Sequence, residues 1–171
     1  SLIFGLVAIL FSESIHFCKK MFIKYIKNHL FRPLIGGVLI IILTFLAGTT
    51  IYNGIGTNTI ADSFKTIIPK EAFLGKILFT ALSLGSGFQG GEVTPIFYVG
   101  AALGNFLAGL MNMPVSFFAA LGLIAVFSGA SNAPIACFVL GIELFGAEAG
   151  VYFFMASIIS YMFSGHHGIY T

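Results

Sequence analysis

The sequence predicts an all-α, polytopic membrane protein with broken and tilted helices. Three observations predict it. Only 8% of the 171 residues are charged, 58% are hydrophobic, and the mean hydropathy is +1.03; a soluble domain carries about 25% charged residues. Long apolar runs recur at close to the length that crosses a bilayer. Glycine-dense breaks interrupt those runs, above all Gly85-Ser86-Gly87-Phe88-Gln89-Gly90-Gly91-Glu92-Val93-Thr94-Pro95.

The elements follow in order. Residues 1–18 are a phenylalanine-rich first span that continues as an amphipathic helix to Lys27. Glu13 reads as an interfacial residue, with a proton relay as the alternative, and His16 and His29 are expected among headgroups. Lys19, Lys20, Lys24, Lys27 and Arg32 cluster in one polar zone, which the positive-inside rule assigns to the cytoplasm. The flanking spans argue against nucleic acid as the partner of that cluster. Pro33 opens a second span, 34–52, in which Gly36 and Gly37 suit close helix contact.

A glycine–asparagine loop from Tyr52 to Thr59 lies on the far side, and residues 60–67 predict a short amphipathic helix. The third span is 72–84; its Lys76 is expected to snorkel, with a functional charge as the alternative. The fourth is 93–112, where Gly100 and Gly104 form a G-x-x-x-G pair. After Pro114 the apolar runs, 115–127 and 134–145, shorten to roughly a dozen residues, where about 20 are needed to span. Between them lies a second small-residue break, Ser128-Gly129-Ala130-Ser131-Asn132-Ala133-Pro134. Short interrupted helices point to a transporter binding site near the midplane. Residues 149–163 form the last helix, with Glu143 and Glu148 facing water around the preceding turn.

Cys18 and Cys137 stand far apart in apolar sequence, so two buried thiols are expected rather than a disulfide. No metal spacing occurs, and neither a metal nor another cofactor is expected. The first run lacks the basic start and small-residue cleavage site of a signal peptide. The chain opens mid-helix at Ser1 and stops abruptly at Thr171, and so reads as a piece of a larger protein.

The central break carries the chemistry. Irregular backbone survives at membrane depth only where protein buries it or it lines a wet cavity. A helix beginning there, at Glu92 to Thr94, presents free N–H groups and about half a positive charge, which is an anion site. Pro95 fits the first turn, where its missing N–H costs nothing.

These residues resemble the C-terminal half of the CLC family of chloride channels and proton-coupled anion antiporters. Gly85-Ser86-Gly87 followed by Gly91-Glu92-Val93-Thr94-Pro95 stands where that family has G-x-F-x-P. Asn132-Ala133-Pro134 and the run to Glu143 match its penultimate helices, and Tyr170 sits where it has an anion-coordinating tyrosine. Val93 replaces the usual Phe. The version G-E-V-T-P resembles that of the fluoride-specific bacterial branch, which favours fluoride over chloride.

The resemblance implies one half of an inverted-repeat subunit spanning residues 1–171, a homodimer with one pore per subunit, and a missing N-terminal half that supplies the gating glutamate. It implies a multi-pass protein of the bacterial inner membrane, surrounded by lipid, that moves fluoride or chloride together with protons. It implies that Gly91, Glu92, Val93, Thr94 and Tyr170 bind the anion, supported by Gly85, Ser86, Gly87, Gly90 and Pro95. Backbone amides and the Tyr170 hydroxyl would donate to the anion, and the Thr94 hydroxyl is a candidate for a short polar contact. The Glu92 side chain is expected to point away and cap the helix locally, with proton carriage as the alternative.

Three rival readings differ in class. Gly129-Ala130-Ser131-Asn132 is similar to the G-x-S-G of intramembrane serine proteases, and His166-His167 offers a base. Asn132 in place of the second glycine, and the proline just after, argue against an enzyme. A passive channel or a chloride–proton antiporter of the same family is the second rival. A non-transporting membrane scaffold is the third.

Overall fold

The computed structural model describes residues 1–165, 168 and 169. Those residues form α1 (Leu2–Tyr25), α2 (Phe31–Ala47), α3 (Thr57–Ser63), α4 (Ala72–Gly85), α5 (Val93–Met111), α6 (Val115–Ser131), α7 (Pro134–Phe145) and α8 (Gly150–Ser164). A 3-10 turn, Ala147–Ala149, leads into α8, and no strand occurs among the described residues. The stretches Leu2–Tyr25, Val93–Met111 and Ala147–Ser164 are long and apolar enough to cross a membrane. Helices α2, α4, α6 and α7 are apolar but shorter.

Several helix ends differ from expectation, each for a local reason. The apolar run 34–52 suggests a longer second span, but Gly48 takes a left-handed conformation and its N–H bonds back to the Thr44 carbonyl at 3.1 Å, ending α2 at Ala47. The short helix starts earlier than 60–67, at Thr57, and stops at Ser63. Asn105, fully buried in α5, holds the segment that follows: its amide donates to the Ser63 and Thr66 carbonyls at 2.8 and 2.7 Å, and its oxygen accepts the Ile68 N–H at 3.1 Å.

The largest correction concerns the second small-residue break. Helix α6 does not stop near 127 but runs through Ser131, and only Asn132 and Ala133 are non-helical. Ser128, Gly129 and Ala130 are packing residues. The Ser128 hydroxyl donates to the Ser157 carbonyl of α8 at 2.8 Å, and a Cβ on Gly129 would press on Ala8 and Ser160. Asn132 then closes α6 in the left-handed region (φ 57°), and Pro134 opens α7 at its first turn.

Helices α5 and α6 form the tightest seam. A Cβ on Gly100 would come within 2.5 Å of the Gly122 carbonyl oxygen and one on Gly104 would collide with the Phe118 backbone, so the G-x-x-x-G pair does bring two backbones together. Helix α1 lies across α4, α6 and α8, and their shared core includes Phe4, Phe11, Ile77, Val99, Val126 and Ala156. Cys18 and Cys137 are both free thiols, the second fully buried. Large apolar side chains remain exposed along α1, α2, α7 and α8, Phe45 at 85% and Leu46 at 78% among them. Surfaces of that size and polarity suit lipid or further protein.

Candidate functional site

The break at 85–95 joins a closed helix end to an open helix start. At the C-terminus of α4 the Gly87 N–H reaches the Leu84 carbonyl at 3.1 Å and the Phe88 N–H reaches the Ser83 carbonyl at 3.2 Å. Gly87 has φ +95°, which a residue with a Cβ rarely adopts. This is the Schellman arrangement, and it occupies the Ser83 and Leu84 carbonyls. At the start of α5 the first intrahelical bond runs from the Ile96 N–H to the Glu92 carbonyl at 3.3 Å. The Val93 and Thr94 amides lie ahead of it, and Pro95 has no N–H. The expected local cap by the Glu92 side chain is not made. The junction therefore occupies the Ser83 and Leu84 carbonyls on one side and sets the Val93 and Thr94 amides ahead of the first helical bond on the other.

Its flanks are braced. A Cβ on Gly85 would meet Cys18 and the Lys19 backbone nitrogen of α1 at 2.5 and 3.0 Å. Gly36 of α2 lies directly against the Ser86 side chain, which is fully buried and donates to the Ser83 carbonyl at 2.9 Å. These contacts exist because the sequence places small residues on three helices where they cross.

A cavity of about 390 Å³ opens between this junction, α4 and the loop after α2. Gly90, Gly91, Thr94 and Pro95 line it, whereas Glu92 and Val93 are half-buried outside its lining. Gly85 and Ser86 are buried behind it, and Gly87 is exposed at the turn. Tyr170 falls outside the described residues, as do His166 and His167. The tail before Tyr170 is anchored: the Ile169 N–H bonds the Ala130 carbonyl at 3.0 Å, and His16 Nε2 lies 3.4 Å from the Gly168 oxygen. His16 is thus half-buried against the tail.

Other lining residues come from α4, and reading them one at a time conceals them. Lys76, Thr80 and Ser83 recur at i, i+4 and i+7 and form a polar stripe on one helix face. Lys76 does not snorkel. It is 1% exposed, and its ammonium donates to the Gly54 and Tyr52 carbonyls at 2.6 and 3.1 Å. Tyr52 supplies another wall of the cavity; burial, and then the charge of Glu71, push its phenol above the usual tyrosine range, so it is neutral at pH 7. Ser131, the nucleophile of the protease rival, ends α6 with its hydroxyl donating to the Phe127 carbonyl at 2.7 Å.

Comparison with known proteins accords with this geometry. The family model for the voltage gated chloride channel matches residues 1–165. A chloride/fluoride channel protein of Pseudomonas syringae pv. tomato is 42% identical over 99% of this chain and 39% of its own length. The H(+)/Cl(-) exchange transporter ClcA of Vibrio vulnificus is 27% identical over 83% of the chain and 33% of its own length. Among solved structures, the crystal structure of a CLC-type fluoride/proton antiporter superposes with a TM-score of 0.95 at 36% identity, covering 99% of this chain and 43% of that one. The chain thus spans less than half the length of each.

Proposed function

The chain belongs to the voltage gated chloride channel family, and from that premise we propose that it is the C-terminal half of a fluoride/proton antiporter that exports fluoride across the bacterial inner membrane. It acts as a transporter and not as an enzyme, works as a homodimer in lipid, and needs the N-terminal half of the same protein to complete its pore. The anion sits at the start of α5, held by amides around Gly91 to Thr94, by the Thr94 hydroxyl and by Tyr170.

The observation that carries this reading is the unpaired polarity of the break. The α4 end is capped on its Ser83 and Leu84 carbonyls, and among the described residues no side chain caps the α5 amides, beside a cavity that Thr94 lines. Partial charges of this kind bind a dehydrated anion and still release it. Fluoride is small and strongly hydrated, so a hydroxyl at short range suits it better than an apolar wall. The G-E-V-T-P sequence and the names of the 42% and 36% identical relatives support fluoride. Fluoride enters acidified cells as the neutral acid, dissociates and is trapped, and an inward proton gradient can drive it out.

A flux assay on the full-length protein in liposomes, with a fluoride electrode and a pH readout, tests this. A fluoride gradient should drive protons in the opposite direction. Chloride flux equal to fluoride flux would favour the chloride-transporting branch, to which the exchange transporter from Vibrio points. Flux indifferent to a proton gradient would remove the coupling.

A further inference from the structure

We propose that the groove between α1 and α2 binds an anionic phospholipid, with an acyl chain in the groove and the phosphate at Lys24, Lys27 and Arg32. The site lies apart from the cavity at the central break, and it does not depend on which ion is carried.

The groove encloses about 210 Å³. Met21, Phe22 and Tyr25 of α1, Ile35 and Leu39 of α2 and Leu82 of α4 wall it. With Cys18, the α1 residues recur at i, i+3, i+4 and i+7, which is one apolar stripe. Phe22 is buried, whereas Met21, Tyr25, Ile35 and Leu39 are exposed, so the groove opens outward. No charged or amide side chain lines it. It is smaller than the roughly 300–1,000 Å³ of ordinary small-molecule sites and lacks their converging polar groups, so it suits a length of hydrocarbon.

The mouth of the groove is basic. The Lys24 ammonium lies 5.8 Å from the centre of the Tyr25 ring, which is part of the wall. Arg32 Nε donates to the carbonyl of Ile26, another wall residue, at 2.9 Å, and its Nη2 reaches the Lys27 carbonyl at 3.5 Å. Those bonds fix the guanidinium at the rim without using the whole of its donor fork, which matches a phosphate. From residue 14 to residue 61 the sequence has no Asp or Glu to neutralise these charges. An apolar slot thus meets a positive rim, in the leaflet that the positive-inside rule assigns to the cytoplasm.

An anionic amphiphile satisfies both parts. A neutral lipid would satisfy the slot alone, and a soluble phosphate the rim alone. A second copy docked through the same face would set its own basic turn against this one. Placement gives the lipid a role. Cys18 lines the groove and also lies where a Cβ on Gly85 would come within 2.5 Å of it. The bound chain therefore braces α1 and α2 against the helix that leads into the break.

Native mass spectrometry of the full-length protein tests this, in detergent holding equal amounts of phosphatidylglycerol and phosphatidylcholine with the same chains. The unaltered protein should retain phosphatidylglycerol with about tenfold preference, since each basic residue near the headgroups adds attraction. Lys24→Gln with Lys27→Gln, both at exposed positions, should bring the two lipids close to parity. The corresponding double Arg variant should stay within about twofold of the unaltered protein. Leu39→Trp, at an exposed wall position, fills the slot and should lower retention of both lipids. Sodium phosphate should displace no more lipid than sodium chloride of equal ionic strength.

No preference in the unaltered protein overturns the proposal, and so does a preference that survives the double Gln substitution. Full retention in Leu39→Trp removes the groove as the site. Displacement specific to phosphate would mark a soluble-anion site instead and overturns the lipid assignment.

Discussion

The Thr94 hydroxyl is the one polar side-chain group that the G-E-V-T-P stretch contributes to the cavity lining. Hydrogen bonds to charged partners contribute about 1.5–3 kcal/mol. Thr94→Val should therefore lower fluoride transport at limiting concentration at least about tenfold, while Thr94→Ser keeps most of it, as read by electrode-monitored efflux. Asn105 belongs to a different kind of residue. Its three hydrogen bonds, two of them buried, tie α5 to the end of α3 and the turn after it. Asn105→Ala would leave two carbonyls and one N–H without that partner, and should cost about 2–4 kcal/mol of stability. Thermal unfolding in detergent would register it, with little change in anion selectivity among the protein that remains folded.

Among elements, the helices are legible where apolar length decides and illegible where small residues carry two meanings. Ser128-Gly129-Ala130 reads as a break because small polar residues often end helices, yet here they are the thin face by which α6 meets α1 and α8. Only the partner helices distinguish the two, and sequence order does not show them. Gly100 and Gly104 are read correctly because their spacing of four already implies a shared face. Gly122→Leu should force α5 and α6 apart, since a Cβ there already collides with Gly100, and the variant should lose its monodisperse peak in size-exclusion chromatography. The break at 85–95 is legible as a helix start, but its capped partner is not: that Phe88 would close back on Ser83 depends on Gly87 turning left-handed. Gly87→Ala should cost about 1 kcal/mol through that backbone conformation alone. Lys76 is misread for a related reason. A lone lysine near a helix end suggests snorkelling, and only the loop carbonyls folding back over it make it interior.

Across the whole chain, the described residues pack a common core while leaving broad apolar faces open along α1, α2, α7 and α8. The cavity is open on one side as well, which fits a chain that spans 39% of a relative's length. Expressed alone and reconstituted, it should leave liposomes impermeable to fluoride; joined to its proposed N-terminal half, it should conduct. A fluoride electrode separates the two outcomes. On the transport proposed above, the helix start at Val93 and Thr94 would also protect the cell's energy supply. Potassium is abundant in bacterial cytoplasm, whereas fluoride is a trace poison. At the start of α5 an alkali ion would meet the amide hydrogens of Val93 and Thr94 and the positive end of the helix dipole, both of which repel a cation. On the proposed export route, sorting by sign would come before sorting by radius, and fluoride would leave without draining the membrane's ionic battery.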